Sequence, residues 1–118
     1  PLLIWVHAPD GRILFVNKTW EDFLGVTQEQ ARQTGWAALV HEDDRAEYEG
    51  KFRQCLERKE PFFAKARVCR ADGQWRWLES DGVPRLGAHG ELLAFAGTSF
   101  DITERQALEA EREVLLES

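Results

Sequence analysis

Cysteine and histidine are scarce: there are two of the first and three of the second in 118 residues. Cys55 and Cys69 fall in different expected elements and form no C-x-x-C pair. A disulfide scaffold is therefore not expected, and both read as buried free thiols. His7, His41 and His89 are scattered, and with the two cysteines they give no zinc spacing. No apolar run approaches the ~20 residues that cross a bilayer. The apolar opening from Pro1 to Val6 is too short for a signal peptide and lacks a basic flank, so no membrane contact and a cytoplasmic location are expected. A chain that opens directly on strand residues reads as a piece of a longer protein. Basic excess is also missing: the net charge is -6 and the 15 Lys and Arg are dispersed, which disfavours nucleic acid as a partner. There is no Gly-x-Ser-x-Gly, no phosphate-cradling glycine loop and no His-Glu-x-x-His. Glu42, Asp43 and Asp44 are adjacent and read as charge at a helix start, not as an acid/base pair. An enzyme is the least expected class.

What is present is the composition of one soluble domain, 43% hydrophobic and 31% charged, with no internal repeat. Leu2 to His7 is rich in β-formers. Ala8-Pro9-Asp10-Gly11 turns it into a second strand, Arg12 to Asn17. Asn17 can cap a helix over Lys18 to Leu24, closed by Gly25. Thr27 and Gln30 form a capping box for a second short helix before Gly35. Trp36 to Val40 reads as an apolar turn. A long helix follows from about Asp43 to Lys59, with Tyr48, Phe52, Cys55 and Leu56 on one face and Pro61 closing it. His41 beside it and His89 in a later turn read as solvated. Strands follow at Phe62 to Arg70, Gln74 to Ser80 and Glu91 to Phe100, and Glu104 to Ser118 is nearly all helix formers. The order β-β-α-α-α-β-β-β-α implies an α+β layer: one antiparallel sheet with its helices on one side.

Period 2 sorts the strands into two faces. Leu3, Trp5 and His7 oppose Leu2, Ile4 and Val6. Leu78 and Ser80 oppose Trp75 and Trp77. Phe95 and Ser99 oppose Ala96 and Phe100. Apolar groups on both sides are unusual for a free antiparallel sheet, and the face away from the helices predicts an interaction surface. The competing reading is that Trp75 and Trp77 merely lie over neighbouring arginine stems.

Asp10-Gly11-Arg12-Ile13 with Asn17, then Leu39-Val40-His41-Glu42-Asp43-Asp44-Arg45, then Arg70-Ala71-Asp72-Gly73-Gln74-Trp75-Arg76-Trp77, then Gly97-Thr98-Ser99-Phe100-Asp101-Ile102-Thr103-Glu104-Arg105 form an ordered set. It resembles the PAS domain family, of the bacterial PAS/PAC sensor type found in histidine kinases and cyclic-dinucleotide enzymes. The resemblance covers essentially the whole chain, with Glu42 standing where the family usually has Pro. It implies a five-stranded antiparallel sheet in order 2-1-5-4-3, helices around a central pocket, and a final helix running to an effector domain in the same chain. On that basis residues 1–103 are expected to be the sensor core and residues 104–118 a signalling linker.

The family hosts flavin, haem, small metabolites or nothing. Flavin-adduct relatives carry Gly-x-Asn-Cys-Arg-Phe-Leu-Gln. The matching positions run from Gln33 to Val40, with Trp36 in place of the reactive cysteine and Ala37 in place of the arginine, so thiol-adduct photochemistry is rejected. The long helix carries no histidine beyond its cap to bind haem. His7 reads first as a hydrogen-bonded core residue. No cofactor is assigned. The pocket candidates are Trp36, Phe52 and Leu56 from the helix side and Trp5, His7, Leu78, Ser80, Phe95 and Ser99 from the sheet. They either line a small, partly apolar ligand or fill the space themselves. The partner-facing candidates are Ile4, Val6, Trp75, Trp77, Ala96 and Phe100. Asp101, Ile102 and Thr103 are the expected handover to the last helix. There Leu108/Leu115 and Ala107/Val114 repeat at seven residues, suiting a homodimeric coiled-coil seam.

Overall fold

The structure, a computed structural model, describes residues 1–117. Five strands, β1 (Leu2–His7), β2 (Ile13–Val16), β3 (Phe62–Cys69), β4 (Trp75–Leu86) and β5 (Leu92–Asp101), form one sheet in the order β2-β1-β5-β4-β3 with every neighbouring pair antiparallel. Helices α1 (Lys18–Leu24), α2 (Gln28–Thr34) and α3 (Glu42–Arg58) and a 3-10 turn (Trp36–Leu39) lie between β2 and β3, and α4 (Thr103–Glu117) leaves the sheet after β5.

The short helices form where local chemistry satisfies their ends. The Asn17 side chain accepts from Trp20 N, and Gly25 closes α1 in the left-handed region at φ 73°. Thr27 and Gln30 make the reciprocal capping box of α2. Strands β2, β3 and β5 shift by a residue at their ends, and both ends of the long helix differ from the sequence reading. Helix α3 begins at Glu42, and it is stopped by Lys59 in the left-handed region at φ 57°, before Pro61. Its N-cap is His41, whose Nδ1 accepts from Asp43 N at 3.0 Å, so this histidine is committed to the helix end and is not simply solvated.

The larger correction is β4, which does not stop at Ser80 but runs on through Gly82 and Pro84 to Leu86. A proline and a glycine read as strand-breakers in isolation. Here β3 ends its pairing at Phe62↔Gly82, while β5 continues alongside to Leu86↔Leu92. Pro84 thus sits where β4 has a neighbour on one side only, and its missing N–H is tolerated. Gly82 is required for space: a Cβ there would stand 2.6 Å from Trp5 Cη2.

The core lies between the helices and the inner sheet face. Leu3, Phe62 and Phe95 are fully buried at its centre, with Ile13, Phe52, Leu56 and Leu78 around them. Both cysteines are free thiols. Cys55 is buried, whereas Cys69 is only half-buried because it lies at the end of β3.

The chain itself covers part of each outermost strand. At the β2 edge, Gln28 Oε1 accepts from Val16 N at 2.7 Å and Gln28 Nε2 donates to Leu14 O at 3.2 Å. Arg32 donates to Ile13 O and Leu14 O, both at 2.8 Å. At the β3 edge, Val40 bridges Val68, His41 N donates to Arg67 O at 2.8 Å, and Asp44 Oδ2 accepts from Arg67 N at 2.9 Å. The edge groups at Ile13, Leu14, Val16 and Arg67, which could otherwise template pairing with another chain, are thereby satisfied.

Candidate functional site

The inner face of the sheet places Leu3, Trp5 and His7 of β1 beside Phe95 and Ser99 of β5 and Leu78 and Ser80 of β4. Helix α3 lowers Phe52 onto them. Its ring meets Trp5, His7, Phe62 and Phe95 edge-on, at centroid distances of 5.9, 4.9, 5.2 and 5.4 Å. Trp36, from the 3-10 turn, closes over His7, Tyr48 and Phe52 at 5.9, 5.6 and 5.5 Å. Edge-to-face stacking of this density suits the ring quadrupoles.

A single chain of hydrogen bonds runs through this apolar packing. Trp5 Nε1 donates to Ser99 Oγ at 3.0 Å, Ser99 and Ser80 share a bond at 2.6 Å, and Tyr48 Oη donates to Ser80 Oγ at 2.9 Å. It links β1, β5, β4 and α3. Burial pushes the Tyr48 hydroxyl up to about 12, against the opposing effect of Ser80, so it stays a donor. His7 Nδ1 lies 2.8 Å from Gly11 O. A carbonyl only accepts, so Nδ1 carries the proton and Nε2 is the acceptor nitrogen of the neutral ring. Burial lowers the pKa of His7, partly offset by that bond. Among the described residues no buried side-chain nitrogen or oxygen lacks a partner.

The space left inside is small. Trp5, His7, Trp36, Phe52, Leu78 and Ser99 border an inner pocket of about 60 Å³, lined also by Trp20, Leu24, Leu39, Val40, Tyr48, Phe62 and Val68. Two liquid waters occupy roughly that volume, whereas ligand sites run to about 300–1,000 Å³. Ser80 and Phe95 are buried in the layer behind this wall. Leu56 faces elsewhere, onto an outer cleft of about 850 Å³ bounded by the β1–β2 turn, α2 and α3. Trp36 and Phe52 border both spaces.

On the opposite sheet face, Val6 lies directly across from Phe15 on one side and Ala96 on the other, and Ala96 from Val83. Residues opposite one another share a face, so an apolar band crosses four strands. Phe15 is 49% exposed and Val83 55%. Neither was singled out by the sequence: the faces of short β2 carry little periodic signal, and Val83 belongs to the part of β4 hidden behind its glycine and proline. Ile4 is exposed, Phe100 is half-buried opposite Leu2, and Trp75 is 49% exposed. The arginine-stem reading holds for Trp77, which carries the Arg67 guanidinium 5.1 Å from its ring. Trp75 instead meets the His41 ring at 4.5 Å. Arg67 is held in turn by Asp44 Oδ1 and Oδ2 at 2.8 and 2.9 Å, and this pair draws the Asp44 carboxyl down to about 2.

At the exit, Asp101 Oδ1 accepts from Thr103 N at 2.9 Å, and Oδ2 accepts from Arg76 Nε at 2.6 Å. Arg76 also donates to Glu104. Trp77 N donates to Thr103 Oγ1 and Ile102 N to Trp77 O, each at 2.8 Å. Arg105 reaches Glu79 at 2.7 Å. Ile102 is 2% exposed and pins the junction to the core. Burial raises the Asp101 pKa, but the bonds from Thr103 and Arg76 outweigh it and the net shift is downward.

The fold and site define a class: a small α+β module with a helix-roofed, aromatic core and an outgoing helix. Among the described residues no cluster of His, Cys, Asp and Glu could hold a metal, and no helix is long and apolar enough to cross a membrane. A family model described as PAS fold matches residues 13–99, and the chain belongs to the PAS family. It is 38% identical over 112 residues to the uncharacterized protein y4lL of Sinorhizobium fredii (strain NBRC 101917 / NGR234), covering 95% of this chain but only 14% of that protein's length. It is similar to the N-terminal domain of a diguanylate cyclase with PAS/PAC sensor from Marinobacter aquaeolei, with TM-score 0.79 and 20% identity over 90% of this chain and 99% of that one. It is also similar to a sensory box histidine kinase/response regulator from Burkholderia thailandensis E264, with TM-score 0.70 and 24% identity over 99% and 92% of the two chains. At these identities the two structural likenesses speak for the fold.

Proposed function

We propose that this domain is a sensory and signal-relay module of a bacterial signalling protein, a histidine kinase or a diguanylate cyclase or phosphodiesterase. It acts as a homodimer and transmits through α4 to an effector domain in the same chain, with residues 104–118 as the linker. The observation that carries this reading is the continuity of bonds along β4. Ser80 belongs to the buried hydrogen-bonded chain, and four residues back Arg76 holds both Asp101 and Glu104. A strand that shifts in the core therefore moves the start of the exit helix.

The supporting experiment is Asp101→Asn in the protein that carries the domain. The substitution keeps the side-chain shape but removes the charge that Arg76 grips. Effector output is expected to change while the domain's circular dichroism stays that of the native chain. Unchanged output at native folding would end the relay reading.

A second reading, a small-molecule sensor, draws on the 850 Å³ cleft that shares Trp36 and Phe52 with the inner pocket. A ligand passing from that cleft toward the inner pocket would meet Trp36, which borders both. Haem and redox readings have less support. A pocket of about 60 Å³ offers no room for a macrocycle unless the aromatic residues leave it.

A further inference from the structure

The outer cleft of about 850 Å³ combines a buried apolar floor with a charged rim. Ile13 of β2, Ala31 of α2, and Phe52 and Leu56 of α3 supply the floor, none of them more than 9% exposed. The α3 wall carries Glu49, Arg53 and Glu57 at its rim. They are spaced four apart, so they form one row beside the Phe52 and Leu56 row. This wall has one acid in excess. Glu49 is paired with Arg53 at 3.0 Å, and among the described residues Glu57 has no cation within ion-pair distance. The walls formed by the β1–β2 turn and α2 carry Asp10, Arg12 and Arg32. They have one base in excess. Arg12 Nε is bonded to Asp10 at 2.7 Å. Arg32 commits Nε and Nη2 to the carbonyls of Ile13 and Leu14, and the Glu29 carboxylate stands 3.8 Å from Nη1, beyond hydrogen-bond reach. Arg32 is thus a cation held in place without a close counter-ion. A purely anionic ligand would meet Glu57, and a purely cationic one would meet Arg32. Excess charge of opposite sign on separate walls, over an apolar floor, is complementary to a molecule that carries an ammonium, a carboxylate and an apolar group.

We propose that this cleft binds a free α-amino acid with an apolar side chain. The ammonium lies toward Glu57, the carboxylate toward Arg12 and Arg32, and the side chain on Ile13, Phe52 and Leu56. The proposal rests on the small-molecule reading of the cleft and gives that ligand a chemical class. It is independent of the relay, which is read in effector output. Occupancy reaches the sheet through Phe52 and Trp36, which border the cleft, stack on each other at 5.5 Å and meet the His7 ring of β1 at 4.9 and 5.9 Å.

The 118-residue chain is titrated by calorimetry with leucine and phenylalanine, with phenethylamine, which lacks the carboxylate, and with hydrocinnamate, which lacks the ammonium. Phenylalanine is expected to bind about tenfold or more tightly than either analogue, the factor that one charge-assisted contact supplies. Two substitutions place the charges. Glu57→Gln is expected to weaken phenylalanine and phenethylamine by about tenfold and to leave hydrocinnamate unchanged. Arg12→Gln is expected to weaken phenylalanine and hydrocinnamate and to leave phenethylamine unchanged. Both residues are exposed and outside the core, so the fold is retained, whereas Arg32 is left intact because it holds the β2 edge. Equal affinity for phenylalanine and its two analogues would overturn the proposal while leaving the small-molecule reading standing. Absence of binding by both amino acids would overturn it as well. The small-molecule reading is then decided separately, by native mass spectrometry of the freshly purified protein. Losses that ignore which charge was removed would overturn the assignment of Glu57 and Arg12.

Discussion

At the scale of the residue, His7 shows how local chemistry fixes a protonation state. Its Nδ1–H is held by Gly11 O, and aromatic burial disfavours the imidazolium. In the unfolded chain His7 titrates near 6.5, so as pH falls through that value the unfolded state takes up protons that the folded state refuses. Stability due to His7 is therefore complete above about 6.5 and is lost on acidification. The midpoint of urea unfolding is expected to fall between about pH 7 and 5, with a flatter profile in His7→Asn. A profile unaltered by the substitution would count against this account. The carboxylates contribute lower down. Asp44, drawn to about 2 by Arg67, loses its contribution only below the ordinary Asp range. His7 was legible in the sequence as a strand histidine on the inner face, but its proton's address was not. That depends on the β1–β2 turn folding Gly11 O back to within 2.8 Å.

At the scale of the element, the short helices were legible because their caps are written within a few residues: Asn17, Gly25, and Thr27 with Gln30. The full length of β4 was not, because whether Pro84 breaks a strand depends on whether a neighbour needs its N–H. Nor was the second task of α2 legible. Gln28 and Arg32 are four residues apart and so lie on one side of the helix, where they satisfy Val16 N, Leu14 O and Ile13 O on the β2 edge. Removing both is expected to expose a pairing edge. Gln28→Ala with Arg32→Ala should lower stability by about 1–3 kcal/mol, and light scattering should show growing mass as concentration rises. A mass equal to that of the unaltered chain at every concentration would speak against edge protection by these side chains.

At the scale of the whole molecule, one sheet face is roofed by helices and both outermost strands are partly covered by side chains and backbone of the same chain. The outer apolar band and α4 are then the broad surfaces open to a partner. Leu108 and Val114 on α4 are each 66% exposed, and a 15-residue helix is marginal without tertiary or partner contacts. The proposed homodimer is accordingly expected to weaken on charging either surface. Val83→Lys and Leu108→Glu should each raise the dimer dissociation constant by about tenfold or more in sedimentation equilibrium, as expected for a charge buried at an apolar contact. Unchanged association in both would remove these surfaces from the interface. The sequence by itself determined the alternation that gives each strand two faces, the caps that bound the helices and the ordered motifs of the family. These are properties of neighbours along the chain, and they carry over from sequence to structure. Only the tertiary structure decided that Trp5 lies on Gly82 and Gly97, that Leu56 serves the outer cleft and that Phe15 joins Val83 in one band. Those contacts join residues many positions apart, and their distances are set by strand register and packing, which no local pattern encodes.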